Sequence, residues 1–331
     1  MNLDHKTVII SRTDSIGDVL LTLPICAWLK QRYPTVKIVF LGKGYTKPVV
    51  EMYELVDEYV DWNDYINVPK AVKIENFRAI NADAIIHVFP NKEIASLAKK
   101  AKLTLRVGTS HRSYHLLTCN SRPNFTRKKS NLHEAQLNHE LLRPFGLKTI
   151  PTLEEICDTT QFFKVPKVML PENLQTLKEG TILHPKSQGS AKEWPLDKYM
   201  ELALKLAEKG ELVLFTGTEK EGEMFRATIP KHKNIIDTTG QLSLEQLMVL
   251  IHQSKNLVAC STGPLHIAGY YGVNTVGLYS PKRPIHPGRW KALGKHVHIV
   301  VNDESCEACA KGNECNCILD IAIDVVEKQL K

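Results

Sequence analysis

Short apolar runs alternate with stretches of helical spacing along most of this chain. Strand-like runs fall at 7–11, 36–41, 84–88 and 103–107 in the first half, and at 181–184, 211–215, 256–260 and 273–278 in the second. Between them, apolar residues recur at helical intervals over 25–32, 94–101, 133–145, 196–209, 244–252 and 265–271. This alternation predicts an α/β fold of parallel sheets with helices on both faces. The rhythm breaks over 150–175, which holds Pro151, Pro166 and Pro171. A linker between two doubly wound domains belongs there. The predicted division is 1–160 and 161–317. A terminal helix is expected over 318–331, where Ile318, Leu319, Ala322, Val325, Val326 and Leu330 are helically spaced.

A length of 331 residues suits two domains, and 43% hydrophobic with 24% charged residues is ordinary for a globular protein. No apolar run approaches the roughly 20 residues that span a bilayer. The opening strand is too brief for a signal-peptide core, so a cytoplasmic location is expected. Charge changes the picture more than composition does. Lys92, Lys99, Lys100, Lys102, Arg106, Arg112, Arg122, Arg127, Lys128 and Lys129 stand against one acid, Glu93, so this segment alone exceeds the net +7 of the chain. Such a run suits a phosphorylated substrate, an acidic lipid face or nucleic acid; otherwise it is a solvated face with no partner. No aromatic-interleaved or groove-reading motif accompanies it, which argues against nucleic acid.

Three polar turns come directly after predicted strands. Ser261-Thr262-Gly263-Pro264-Leu265-His266 leaves one strand and opens a helix. Strand, small-residue turn and helix together present backbone N–H groups to a phosphate. Gly263 lets the backbone approach a ligand closely, and Thr262 adds a hydroxyl. His266 reads as a structural donor at least as readily as a ligand contact. The second turn runs from His184 to Pro195 and offers Ser187, Gln188 and Ser190 as donors and Lys192 as a point charge for a diphosphate. Its alternative is a surface loop whose Trp194-Pro195 opens the next helix. Ligands of open α/β sheets bind beyond the carboxyl ends of the strands, where both turns lie. The third turn, Ser11-Arg12-Thr13-Asp14-Ser15-Ile16-Gly17-Asp18, lacks G-x-G-x-x-G, which weakens a nicotinamide-dependent reading. Asp18 is either a capping residue or a general base at a helix start, where the ionised carboxylate is favoured.

Four cysteines, Cys26, Cys119, Cys157 and Cys260, are scattered in the manner of reduced cytosolic thiols. Four more form Cys306-x2-Cys309-x5-Cys315-x-Cys317. This set could hold a structural zinc, although the common pattern pairs two C-x-x-C knuckles across a longer loop. Free thiols or a disulfide are the alternatives.

Taken in order, these residues resemble the heptosyltransferase family, the family 9 glycosyltransferases that build lipopolysaccharide core. The likeness is carried by Arg12-x4-Gly17-Asp18-Val19-Leu20-x2-Leu23-Pro24, Arg106-Val107-Gly108, His184-Pro185-x6-Lys192-x-Trp194-Pro195, Thr216-Gly217, Gly240-x2-Ser243-Leu244-x2-Leu247 and Ser261-Thr262-Gly263-Pro264-x-His266-x-Ala268. The resemblance implies a GT-B architecture of two Rossmann-like domains facing a central cleft. It implies an inverting, metal-independent glycosyl transfer from an ADP-sugar, with no cofactor required. The donor would sit on the second domain, at Ser187, Gln188, Lys192, Gly217, Leu242, Ser261, Thr262, Gly263 and His266. An anionic glycolipid acceptor would sit on the first, at Arg12, Lys92, Arg106 and Arg112, with Asp18 as catalytic base. Peripheral contact with the cytoplasmic face of the inner membrane is implied as well. One departure concerns the donor sugar: Ser261 stands where the family usually has an acid before Thr-Gly. A transferase of the same fold with another donor, or a non-catalytic sugar-nucleotide or glycolipid binder, are the alternatives.

Overall fold

The computed structural model describes residues 2–127, 130–189 and 191–331. The chain divides between Lys164 and Val165 into two compact units. The division falls inside the Pro-marked 150–175 segment. That segment is not structureless: Thr152 caps the short helix Leu153–Asp158 through a reciprocal bond with Glu155.

The first unit is built on a parallel sheet of β1 (Thr7–Ser11), β2 (Lys37–Gly42), β3 (Glu58–Asp61), β4 (Ala84–His87) and β5 (Leu105–Val107). Its order is β3-β2-β1-β4-β5. The second unit has β6 (Thr181–His184), β7 (Val213–Phe215), β8 (Ile235–Asp237), β9 (Asn256–Cys260), β10 (Asn274–Leu278) and β11 (Val297–Val300), in the order β11-β10-β9-β6-β7-β8. Counted within its own unit, this is the 3-2-1-4-5-6 order of doubly wound nucleotide-binding sheets. Strands β1, β4, β6, β9 and β10 are buried almost throughout. Helices on both faces require this, and it is why those strands read as continuous apolar runs.

Three strands were not apparent in the sequence: β3, β8 and β11. All lie at sheet edges and are half-buried, with polar residues interleaved, so they lack the apolar run that marks the inner strands. The helix Lys70–Ala79 was missed for a related reason: among its residues only Phe77 is buried. The stretch 133–145 is one α-helix only as far as His139; Glu140–Phe145, which contains Pro144, winds as a tighter 3₁₀ segment. The expected terminal helix over 318–331 shrinks to Ile323–Glu327. Ile318 and Ile321 instead enter the core of the second unit from non-helical backbone, beside Trp194, Tyr199 and Val326.

Both cores enclose neutral histidines. His139 is buried, with its Nδ1 2.8 Å from the Ala135 carbonyl, and burial pushes its pKa down to about 4. Burial pushes His266 down to about 4 and, with His115 and Arg106 adding repulsion, His87 to about 3. A histidine whose folded pKa lies below its unfolded value of about 6.5 contributes stability above that value. The contribution is lost as pH falls toward the folded pKa, because the unfolded chain takes up the protons. The melting temperature should therefore drop as pH is lowered from 6.5 to 4.5. His139→Gln should flatten that dependence; an unchanged slope would show that His139 is not held neutral in the native state.

Candidate functional site

In each sheet the strand order reverses once, beside β1 and β4 in the first unit and beside β6 and β9 in the second. Loops leaving those adjacent strands turn to opposite faces, which opens a crevice at their carboxyl ends. The three polar turns all leave these strands.

In the first unit the turn after β1 is organised by Arg12. Its side chain is 4% exposed. Nε donates to Asp14 Oδ1 at 2.7 Å, Nη2 donates to Asp18 Oδ1, and Nη1 lies 3.6 Å from Glu134 Oε1. Burial alone would lower the guanidinium pKa; the three carboxylates reverse this and raise it. Asp14 moves to about 6, first through burial and then through repulsion from Asp18, against the pull of Arg12. Asp18 sits in the first turn of the helix Ile16–Leu20, where Ser15 is the N-cap residue. The capping reading of Asp18 therefore fails: among the described residues its carboxylate accepts from Arg12 and from Ser15 Oγ, and from no backbone N–H group. Its side chain remains 19% exposed, so the carboxylate is fixed in direction and open to solvent.

The acceptor contacts expected on this unit divide into two kinds. Arg12 is sequestered by three acids, and its geometry offers the positioning of Asp18 rather than a free cation. Arg106 is also committed: Nε donates to the Thr118 carbonyl at 2.8 Å and Nη1 to that of Leu103. Lys92 and Arg112 are exposed. Elsewhere in the basic run, Arg127 donates to Glu134 at 2.8 Å and to Asn138 at 3.0 Å. Lys128, Lys129 and, in the second unit, Ser190 lie outside the described residues. Sequence reasoning missed Glu134, a buried acid that serves both Arg12 and Arg127. It also missed a polar cluster at the ends of β1 and β4. Ser11 Oγ, both ring nitrogens of His87 and Nε2 of His115 are buried without a hydrogen-bond partner among the described residues, and the two rings are 5.7 Å apart.

In the second unit the turn after β9 leads into the helix Gly263–Tyr270. Thr262 stands at its N-cap but makes no capping bond. Its Oγ1 and the Nδ1 of His266 are buried with no partner among the described residues. An uncapped helix start with idle buried polar atoms is suited to an anion. Ser261 is half-buried, and the Tyr279 hydroxyl nearby donates to the Trp290 carbonyl at 3.2 Å. After β6, Ser187 is held by a residue the motif reading passed over. Glu193 accepts from the Ser187 N–H at 2.8 Å and from its hydroxyl at 2.9 Å, and pairs with Lys186. Burial pushes Glu193 up, but the bonds from Lys186 and Ser187 bring it below its ordinary value. Lys192 is partly exposed and forms no ion pair among the described residues. Gln188 and Gly189 form the exposed loop tip with left-handed backbone, φ 49° and 80°. Gly217 lies just beyond β7, and its carbonyl accepts from the Gly240 N–H at 3.0 Å. Gly240 has φ 74°, and a Cβ there would lie 2.9 Å from the Glu219 Cβ, so only glycine fits. Leu242, partly exposed, is reached from β8 through this turn. All the residues expected at the donor that are described thus share one end of one sheet.

The model of glycosyltransferase family 9 (heptosyltransferase) matches residues 74–318. The chain belongs to this family. It is accordingly a glycosyltransferase. A Haemophilus influenzae protein named "Putative glycosyltransferase" is 27% identical, over 96% of this chain and 94% of that protein. The lipopolysaccharide core heptosyltransferase OpsX of the same organism is 22% identical, over 89% of this chain and 84% of its own length. Escherichia coli ADP-heptose LPS heptosyltransferase II shares the fold with a TM-score of 0.73 at 18% identity, over 98% of this chain and 97% of that chain. No helix among the described residues is long and apolar enough to cross a membrane.

The four terminal cysteines converge: the sulfurs of Cys306, Cys309, Cys315 and Cys317 all lie within 4.8 Å of one another. They sit on the loop after β11, apart in sequence from the three polar turns.

Arg12 can be tested without substrate. Arg12→Met leaves Asp14, Asp18 and the buried Glu134 without their shared cation and should cost about 3–5 kcal/mol. Asp18→Asn leaves Arg12 with two acids and should cost less than half as much. Urea unfolding of both variants checks this; equal losses would mean that Arg12 does not organise the turn.

Proposed function

We propose that the chain is an inverting glycosyltransferase that moves a sugar from an ADP-linked donor, heptose first among candidates, to an anionic lipopolysaccharide-core acceptor. The observation that carries this reading is the uncapped start of the helix Gly263–Tyr270, with Thr262 Oγ1 and His266 Nδ1 idle beside it at the strand-order reversal. A diphosphate fits that end by charge and by hydrogen-bond need. Lys192 and the N–H groups near Thr262 and Gly263 would take up the departing charge. The second unit is thereby the nucleotide-sugar domain, with Leu242 against the base. The first unit is the acceptor domain, with the open cations Lys92 and Arg112. Asp18 would remove the proton of an acceptor hydroxyl as its oxygen attacks the anomeric carbon from the side opposite the diphosphate. The exposed Leu116 and Leu117 beside Arg112 support peripheral contact with an acidic membrane face.

Ser261 favours a second reading, in which the nucleotide site is kept and the sugar differs. A neutral hydroxyl is a weaker acceptor for sugar hydroxyls than a carboxylate.

Calorimetric titration with ADP, UDP and GDP tests the donor site. ADP should bind in preference, and Lys192→Ala should weaken it about tenfold or more. An affinity unchanged in that variant would place the diphosphate elsewhere, and a preference for UDP or GDP would replace ADP-heptose as donor. Asp18→Asn should lower turnover about 10²–10⁴-fold with nucleotide affinity nearly unchanged. Near-normal turnover in that variant would remove Asp18 from the mechanism.

A further inference from the structure

We propose that Cys306, Cys309, Cys315 and Cys317 bind a single zinc or iron ion in a four-thiolate site that fastens the carboxyl-terminal segment to the second unit. Three observations carry this. The first is convergence. All four sulfurs fall within 4.8 Å of one another; Cys309 is 2.8 Å from Cys315 and 4.0 Å from Cys317, so binding an ion would draw Cys309 and Cys315 apart by about 1 Å. A tetrahedron with metal–sulfur bonds of about 2.3 Å has sulfur edges of about 3.8 Å. A multi-iron cluster would bind each thiolate to a different corner and hold the sulfurs farther apart than these four lie.

The second observation is how little else holds the loop. Between residues 302 and 317, only Cys309 and Cys317 are buried; the remainder are exposed or half-exposed. The loop has no large apolar side chains that could form a core, and the ion pair of Lys311 with Glu307 is on the surface. A polar loop whose only buried side chains are thiols needs a cross-link to order it. The backbone is shaped for one. Cys306 and Cys309 lie on the turn around Glu307–Ala310, and Gly312, at φ 78°, reverses the chain and brings Cys315 and Cys317 back. Cys309 Sγ lies 3.6 Å from Ser280 Oγ, just beyond β10, which places the knot against the sheet.

The third observation concerns the residues after the knot. Directly beyond Cys317, Ile318 and Ile321 enter the core. The Ile321 carbonyl accepts from Trp194 Nε1 at 3.0 Å and from Lys198 Nζ at 2.9 Å. Trp194 ends the turn that carries Lys192 and Glu193. Its backbone N–H reaches Cys260 Sγ at 3.4 Å, one residue before Ser261. The ion would thus fix the strap against which both turns of the second unit rest. Four-sulfur tetrahedral coordination suits zinc and iron alike, so the ligand chemistry is shared and the ion is decided by measurement.

The protein purified without chelator should contain about one zinc or iron per chain by elemental analysis. Visible thiolate-to-metal absorption marks iron, and a colourless protein marks zinc. Titration with a mercurial should release the ion in step with consumption of four thiols. Cys306→Ser combined with Cys315→Ser, the two half-exposed ligands, should abolish the bound ion. Metal-free native protein with four freely titrating thiols, or disulfides among these cysteines by mass, would overturn the proposal. Should the double variant not fold, metal content and mercurial titration of the native protein still decide. None of these readouts depends on the donor, so they stand or fall apart from the transferase reading.

Discussion

A parallel sheet covered on both faces has one place where its loops part, and the chemistry of this chain depends on that place. Crossovers are right-handed, so successive strands laid to one side put their helices on one face. When the next strand is laid on the other side of the first, its helix goes to the opposite face. The loops after β1 and β4, and after β6 and β9, therefore diverge and leave backbone groups uncovered. A buried loop with uncovered polar groups is costly unless something satisfies them. In the first unit that something is partly internal: Arg12 and its three acids. In both units it is incomplete among the described residues: Ser11, His87 and His115 keep idle polar atoms in the first, and Thr262 and His266 in the second. What sets the units apart is that the first holds a buried ion network that orients a side chain, and the second an uncapped helix start suited to an anion.

The Arg12 network shows how burial and charge set a direction. Arginine is hard to bury alone, but with Asp14, Asp18 and Glu134 around it the charge is retained. The cation then aims the Asp18 carboxylate, with Ser15 fixing its second oxygen. Such a carboxylate would lose little freedom on meeting a substrate, which is how a base held as proposed for Asp18 would gain over one in solution. Two of the cations expected to meet the acceptor proved to serve the fold, because a guanidinium near buried carbonyls or acids satisfies them before it can face outward.

The inner strands and the polar turns after β1, β6 and β9 were legible because burial on both faces demands unbroken apolar runs, and a turn after such a run announces itself by Gly, Ser and Thr. The edge strands β3, β8 and β11 were not, since an edge exposes half its residues and carries mixed polarity. The tail misled for a different reason. Ile318 fits helical spacing by accident, while its burial, like that of Ile321, comes from non-helical backbone. Within the candidate site, Asp18 and Thr262 could be singled out from their position after predicted strands. Glu193 and Glu134 were not, because an acid that holds a loop from within has no local pattern; its partners, Ser187 and Arg12, are known only once the chain is folded.

Ser261 joins the electrostatics of its turn to the choice of sugar. A carboxylate there would stand next to Thr262, at the start of a helix that already receives no cap. Replacing it with a hydroxyl removes one negative charge from the place where a diphosphate would bring more. His266, held neutral by burial at about 4, adds no compensating cation. The electrostatic demand of a bound diphosphate would then fall on backbone N–H groups and on Lys192, the partly exposed lysine of the neighbouring turn. Nucleotide recognition would persist unchanged in the proposed site, because its donors there would be backbone N–H groups and a lysine. Recognition of the sugar would change, because a neutral hydroxyl accepts from sugar hydroxyls more weakly than a carboxylate. In the proposed site the hydroxyl would therefore separate two properties that a carboxylate would join: affinity for the diphosphate and choice of the sugar it carries.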